Sequence, residues 1–228
     1  MTNEATTRMI RVLVVDDQPL VRKGNALVLD TADDIEVVGE AADGLEAITL
    51  SADLTPDVVL MDVRMPGMDG IQATKTITSR QPLTRVVVFT TFDLDEYAFG
   101  ALEAGASAFL LKSTTPELLT RAVRTVAGGE SVVEPRITTK LISHYTLSTM
   151  HEADPHVHAL LSSLTPREHD VFLAIAQGLS NPEISERHHL SPATVKTYVN
   201  RVFAKLTVRD RVQAVILAYT HGIIPVRE

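Results

Sequence analysis

Short apolar runs alternate with amphipathic stretches over the first 130 residues. Ile10, Val12, Leu13, Val14 and Val15 form the first run, which ends in two adjacent carboxylates, Asp16 and Asp17. Ile35–Ala41 is the second, and Val58-Val59-Leu60-Met61 is the third. The third ends at Asp62 and is followed by the turn residues Pro66-Gly67. Arg85–Thr90 and Ser107–Leu111 complete the set, the last run ending at Lys112. Runs this short and this rich in Val read as strands. They are apolar at consecutive positions, which is the pattern of a parallel sheet buried on both faces.

Helices are predicted between the strands. Pro19–Thr31 places Leu20, Leu27 and Val28 on one face, and Asp43–Leu54 opens on a capping box of Asp43 and Glu46. Asp69–Gln81 follows, then Asp95–Ala104, stopped by Gly105. Thr115 caps the last of them, with Pro116 in its first turn and Gly128-Gly129 at its end. Five strands alternating with five helices predict an α/β domain over residues 1–130, with a five-stranded, doubly wound, flavodoxin-like parallel sheet.

The pattern changes beyond residue 130. Ile137, Leu141, Ile142 and Tyr145 fall at helical spacing, and Leu147–His158 is polar. Residues 131–159 therefore read as a linker with one helix. His144, His151, His156 and His158 lie in it, but without a scaffold to fix their geometry they read as solvated side chains rather than as a metal site. Order resumes at Thr165-Pro166-Arg167-Glu168, an N-cap, a first-turn proline and a glutamate that reaches back. Val171, Ile175 and Leu179 mark that helix, which stops at Gly178. Asn181-Pro182 is expected to cap a short helix carrying Ile184. Ser191-Pro192 caps a longer one, from about Ala193 to Leu206. Its Val195, Val199, Val202, Phe203 and Leu206 share one face, opposite Thr194, Lys196, Thr197, Asn200 and Arg201. A last helix from Arg209 to His221 carries Val212, Val215, Ile216 and Tyr219. Residues 160–228 are thus expected to be an all-α four-helix domain.

Composition narrows the chemistry. The chain has no cysteine, which excludes disulfides, thiolate catalysis and cysteine metal sites. Met1 to Arg8 is polar, and no apolar run approaches the roughly 20 residues that span a bilayer. A cytoplasmic protein with no membrane partner is expected. The net charge of −8 is unevenly distributed. From Leu160 onward 8 Lys and Arg face 6 Asp and Glu, whereas the part before it has 13 against 23. An acidic front and a mildly basic back suggest different partners.

Five polar residues stand at the ends of the predicted strands: Asp16, Asp17, Asp62, Thr90 and Lys112. In a doubly wound sheet such ends converge on one edge. Three carboxylates repel one another unless a cation holds them, and hard oxygen ligands suit Mg²⁺. A lysine adds a positive point charge and a threonine a donor. That set fits an aspartate that accepts a phosphoryl group, since the transfer depends chiefly on positioning and electrostatics. Any one of these residues alone reads equally well as a helix cap or a surface ion pair. The paired helices of the back half read as a helix-turn-helix, whose second member would enter the major groove, or as a small protein-binding domain.

The chain resembles a two-component response regulator of the NarL/FixJ type. The receiver part of the resemblance rests on Asp16-Asp17, on Asp62 with Met65-Pro66-Gly67-Met68-Asp69-Gly70, and on Thr90 and Lys112. It implies phosphorylation of Asp62 by a sensor histidine kinase. It implies Mg²⁺ held by Asp17, Asp62 and the backbone carbonyl of Arg64, with Asp16 alongside. It implies a switch in which Thr90 moves to the phosphoryl group and Phe109 turns inward. Lys112 is followed by Ser113, where many receivers have proline. The back half resembles the LuxR-type helix-turn-helix through Leu164–Glu168, Gly178–Asn181, Ile184, Leu190-Ser191, Thr194–Lys196 and Lys205-Leu206. Tyr198 and Thr207 depart from common choices there. The DNA contacts expected are Asn181, Thr194, Lys196, Thr197, Asn200, Arg201 and Lys205. The implied partners are a kinase, a second copy of the chain and a pseudo-palindromic promoter site, with RNA polymerase a candidate. The protein would not be an enzyme, apart from Mg²⁺-dependent phosphorylation and dephosphorylation of itself. A dehalogenase-like phosphatase would need an acid two residues after Asp62, where Arg64 stands. A regulator that never takes up phosphate is the other alternative.

Overall fold

The computed structural model describes residues 8–91, 100–130, 132–133 and 155–224. The chain divides into two compact units, Met1–Val133 and Glu134–Glu228.

The first unit contains β1 (Ile10–Val15), α1 (Pro19–Asp30), β2 (Ile35–Ala41), α2 (Gly44–Leu54), β3 (Val58–Met61) and α3 (Gly70–Arg80). After these come β4 (Arg85–Thr90), α4 (described at 100–103), β5 (Ala108–Leu111), α5 (Pro116–Ala127) and β6 (Val132–Val133). The sheet is parallel, in the order β2-β1-β3-β4-β5-β6. The chain passes from β1 to β2 on one side and returns to β3 on the other, so the topological switch point lies between β1 and β3.

Burial on both faces explains the continuous apolar runs. Val12, Val14, Val58, Leu60, Val87, Phe89, Ala108 and Leu110 pack against Ala26 and Leu29 of α1 and Leu119, Val123 and Val126 of α5. The alternate residues Leu13, Val59, Met61, Val88 and Phe109 point to the opposite face and are equally buried. Each such side chain contributes about 1.5–3 kcal/mol of burial free energy, so the strands have no alternative register of similar stability. A bidentate ion pair from Arg124 to Asp34, at 2.7 and 2.8 Å, fastens α5 to the turn before β2.

The five expected strands are present, and β6 adds a sixth. Its two residues pair with Ala108 and Phe109 of β5, in the stretch read as the start of a linker. Asp43 caps α2 through the Leu45 and Glu46 amides, but Glu46 reaches back to the Ala42 amide and not to that of Asp43. Of the helix expected at 95–104, residues 95–99 lie outside the described residues. So do the helix expected at 137–145 and the linker residues 147–154.

The second unit contains α6 (Pro155–Ser162), α7 (Pro166–Ala176), α8 (Asn181–His188), α9 (Pro192–Leu206) and α10 (Arg211–Thr220). Five helices are described instead of four, because α6 occupies residues read as linker. Its Val157, Leu160 and Leu161 recur at helical spacing, and Val157 is buried. The cap of α8 is Ser180 and not Asn181: Ser180 and Glu183 form a reciprocal capping box, as Thr165 and Glu168 do at α7. Ser191 caps α9 through the Thr194 amide. Val171, Phe172, Ile175, Ile184, Val195, Val199, Val202, Leu206 and Val215 make the core. No described helix is long and apolar enough to cross a membrane.

The carboxylate–lysine cluster and the exposed face of α9

Backbone pairing brings the strand ends together before any side chain acts. The Asp62 amide donates to the Val15 carbonyl at 2.9 Å, which sets the end of β3 beside Asp16 and Asp17. The Lys112 amide donates to the Thr90 carbonyl at 2.7 Å, which joins the ends of β4 and β5. The four strand ends therefore meet at the switch point.

Lys112 holds the cluster. Its Nζ lies 2.6 Å from Asp16 Oδ2 and 2.7 Å from Asp62 Oδ2. Asp62 Oδ1 accepts from the Val63 amide at 2.7 Å, and Asp16 Oδ1 from the Gln18 amide at 2.9 Å. Asp16, Asp62 and Thr90 are all buried. Burial pushes the Asp62 carboxyl above the ordinary carboxylate range, and the Lys112 hydrogen bond and charge reverse this only in part. Burial pulls the Lys112 ammonium down, but its bonds to Asp16 and Asp62 outweigh that and leave it raised.

The donor set fits a hard divalent cation. One ligand atom each from Asp16, Asp17 and Asp62 falls within 4.8 Å of the others. Asp17 Oδ1 is buried and has no hydrogen-bond partner, which is costly unless something positive faces it. Three carboxylates against one lysine leave the ionised cluster short of positive charge. Arg64, exposed, is two residues beyond Asp62 in the loop that follows β3.

That loop depends on a glycine. A Cβ on Gly70 would stand 1.9 Å from the Asp62 carbonyl oxygen, and the Gly70 amide donates to the Val63 carbonyl at 2.9 Å. Asp69, just before it, caps α3 through the Gln72 amide at 2.8 Å. Phe109 is 1% exposed and faces the side of the sheet that Thr90 faces.

In the second unit, α9 buries its apolar face and exposes Lys196, Thr197, Asn200 and Arg201, with Thr194 half-buried. The other two expected contacts are engaged within the unit. Lys205 Nζ lies 2.6 Å from Glu168 Oε2 and 2.9 Å from the Ser163 carbonyl. Asn181 Oδ1 accepts from Arg211 at 2.6 Å. The Lys205 hydrogen bond and the Thr165 amide hold the Glu168 carboxyl down at about 2. The capping pattern of the sequence links Glu168 only to Thr165. Its bond to Lys205, 37 residues away, has no local signal.

A parallel sheet with three carboxylates and a lysine at its switch point, joined in one chain to a helix-turn-helix, defines a regulator with a receiver and a DNA-binding output. The family comparisons agree. The response regulator receiver domain matches residues 12–124, and the luxR family of bacterial regulatory proteins matches residues 162–218. The transcriptional regulatory protein YxjL of Bacillus subtilis is 43% identical over 215 residues, which cover 94% of this chain and 97% of the relative. The response regulator protein VraR of Staphylococcus aureus is 41% identical over 215 residues, covering 94% and 99%. The crystal structure of the response regulator ChrA of a heme-sensing two-component system is similar at 33% identity and a TM-score of 0.51, over 95% of this chain and 99% of that one. The chain belongs to the two-component response regulators that carry a LuxR-type DNA-binding domain.

Proposed function

We propose that this protein is a cytoplasmic transcription regulator switched by phosphorylation of Asp62 by a sensor histidine kinase. The observation that carries the reading is the position of Asp62. It stands at the switch point with one oxygen on the Val63 amide and the other on Lys112. The backbone holds the carboxylate still, so an incoming phosphoryl group meets a fixed nucleophile. Asp16, Asp17 and Asp62, with the backbone carbonyl of Arg64, would hold Mg²⁺. The ion supplies charge neutralisation for the transferring oxygens.

The residues around Asp62 then have definite tasks. Lys112 releases Asp62 Oδ2 and turns its ammonium to a phosphoryl oxygen. Thr90, at the end of β4, donates its hydroxyl to another. Phe109, buried on the same face, occupies the space that Thr90 leaves. A second copy of the chain then associates with the first, and each α9 enters the major groove of one half of a pseudo-palindromic site. Lys196, Thr197, Asn200 and Arg201 reach the DNA, with Thr194 at the helix start. Lys205 and Asn181 also meet the DNA, held in place by Glu168 and Arg211. RNA polymerase is a candidate downstream partner.

The test is labelling by a small phosphodonor with Mg²⁺. Wild-type protein should gain an acid-labile phosphoryl group, and Asp62→Asn should gain none. Label that survives in Asp62→Asn would displace the site. Beryllofluoride should raise both the oligomer mass and the affinity for an enriched duplex. No change in either would favour a regulator that works without phosphate.

A further inference from the structure

On the exposed side of α9 is a shallow depression lined by Ala193, Thr194, Thr197, Tyr198 and Arg201. Ala193 and Thr197 are one turn apart, and both are exposed. A threonine at a DNA-facing position can read a base through its hydroxyl or through its methyl. Here the hydroxyls are already engaged by their own helix. Thr197 Oγ1 donates to the Ala193 carbonyl at 3.0 Å. Thr194 Oγ1 is paired with Ser191 Oγ at 2.7 Å. With its one donor committed, Thr197 offers a base edge its methyl group. The Ala193 methyl lies beside it on the same face. Lys196 and Arg201 flank this pair and are both exposed, so the apolar spot lies between cations that suit phosphate or guanine.

We infer that Ala193 and Thr197 form an apolar reader for the C5-methyl group of thymine, with Thr197 as the specificity-determining residue at that base. The inference rests on the DNA-binding reading above. In the major groove the thymine methyl is the only apolar feature that any natural base pair presents. Two adjacent methyl groups with no free donor match it, and match neither the adenine N7 acceptor nor the guanine acceptors.

The experiment uses the full-length chain treated with beryllofluoride and Mg²⁺. A duplex is first enriched from a random library. Each thymine of the enriched site is then replaced in turn by deoxyuridine, which removes one methyl and nothing else. One thymine in each half-site should lose roughly fourfold in affinity on replacement, the burial free energy of a single methyl group. Thr197→Val keeps the methyl and removes the hydroxyl, so it should keep the thymine-over-uracil preference. Thr197→Ser keeps the hydroxyl and removes the methyl, so the preference should fall toward unity, with only the Ala193 methyl left. Preference lost in Thr197→Val and kept in Thr197→Ser would overturn the inference, because the hydroxyl would then be the reader. Equal binding of thymine and uracil duplexes by the wild type would overturn it while leaving DNA binding intact. If no duplex is enriched, DNA binding fails, and the inference fails with it.

Discussion

Replacing Gly70 by alanine tests whether the loop after β3 sets the position of Asp62. The added Cβ would lie 1.9 Å from the Asp62 carbonyl oxygen, 2.9 Å from its carbonyl carbon and 3.0 Å from Val63 Cα. An ordinary contact between carbon and a carbonyl oxygen is about 3.3 Å or more. The loop must therefore open by more than 1 Å, roughly. All three neighbours are main chain, so no side chain can rotate away. Overpacking of this kind costs about 1–3 kcal/mol. The displaced Gly70 amide also loses its bond to Val63, about 1 kcal/mol more. A loss of roughly 2–4 kcal/mol should lower the melting temperature of the α/β unit by about 6–20 °C. The displacement falls on the residue that carries Asp62, so labelling by a phosphodonor should slow as well. Scanning calorimetry and the labelling rate would be measured together, with Gly24→Ala as control. Gly24 is exposed in the middle of α1, with nothing within 4 Å of its added Cβ. Alanine there should stabilise by about 0.5–1 kcal/mol and leave labelling unchanged. A Gly70→Ala protein that melts like the wild type would refute the clash. One that melts early but labels at the normal rate would refute the link to Asp62.

Three further outcomes follow from the geometry. Glu168, held at about 2 against an ordinary 4.5, has a depressed folded-state value. Its stabilising contribution is complete above about 4.5 and is lost as pH falls toward 2. The melting temperature of the helical unit should fall across that window, less so in Glu168→Gln; identical pH profiles would exclude the ion pair as the cause. Thr207 closes α9 in the left-handed region at φ 54°. Thr207→Asn should raise stability by about 1 kcal/mol, because a β-branched residue tolerates that region poorly, and a lower melting temperature would contradict this. Lys112→Met leaves Asp16 and Asp62 facing each other without their cation. It should cost about 3–5 kcal/mol in chelator, partly recovered by added Mg²⁺; a melting curve indifferent to Mg²⁺ would argue against a metal at these carboxylates.

Much of this was legible in the sequence, and for a physical reason. Strands buried on both faces must be apolar at every position, so β1, β3 and β4 announce themselves. The polar residues that end them are the site, because parallel strands place their C-terminal ends on one edge. Where an element depends on backbone pairing or on a long-range partner, the sequence carries no local signal. β6 is two valines whose place is set by pairing with β5 beside it. α6 was concealed by a proline and histidines typical of a linker, although Val157, Leu160 and Leu161 carried its period. Ser180 and Asn181 are equally good capping residues in sequence, and only the backbone of α8 decides for Ser180. The ion pair of Lys205 with Glu168 has no local signal either, because the two residues belong to different helices.

β6 also determines how the polypeptide leaves the α/β unit. Val133 is in register with Phe109 of β5, three residues before Lys112, which follows the end of that strand. β6 is thus stitched to the strand that carries the aromatic and leads into the lysine. A stitch of two residues is weak, since each ladder hydrogen bond is worth only about 1 kcal/mol.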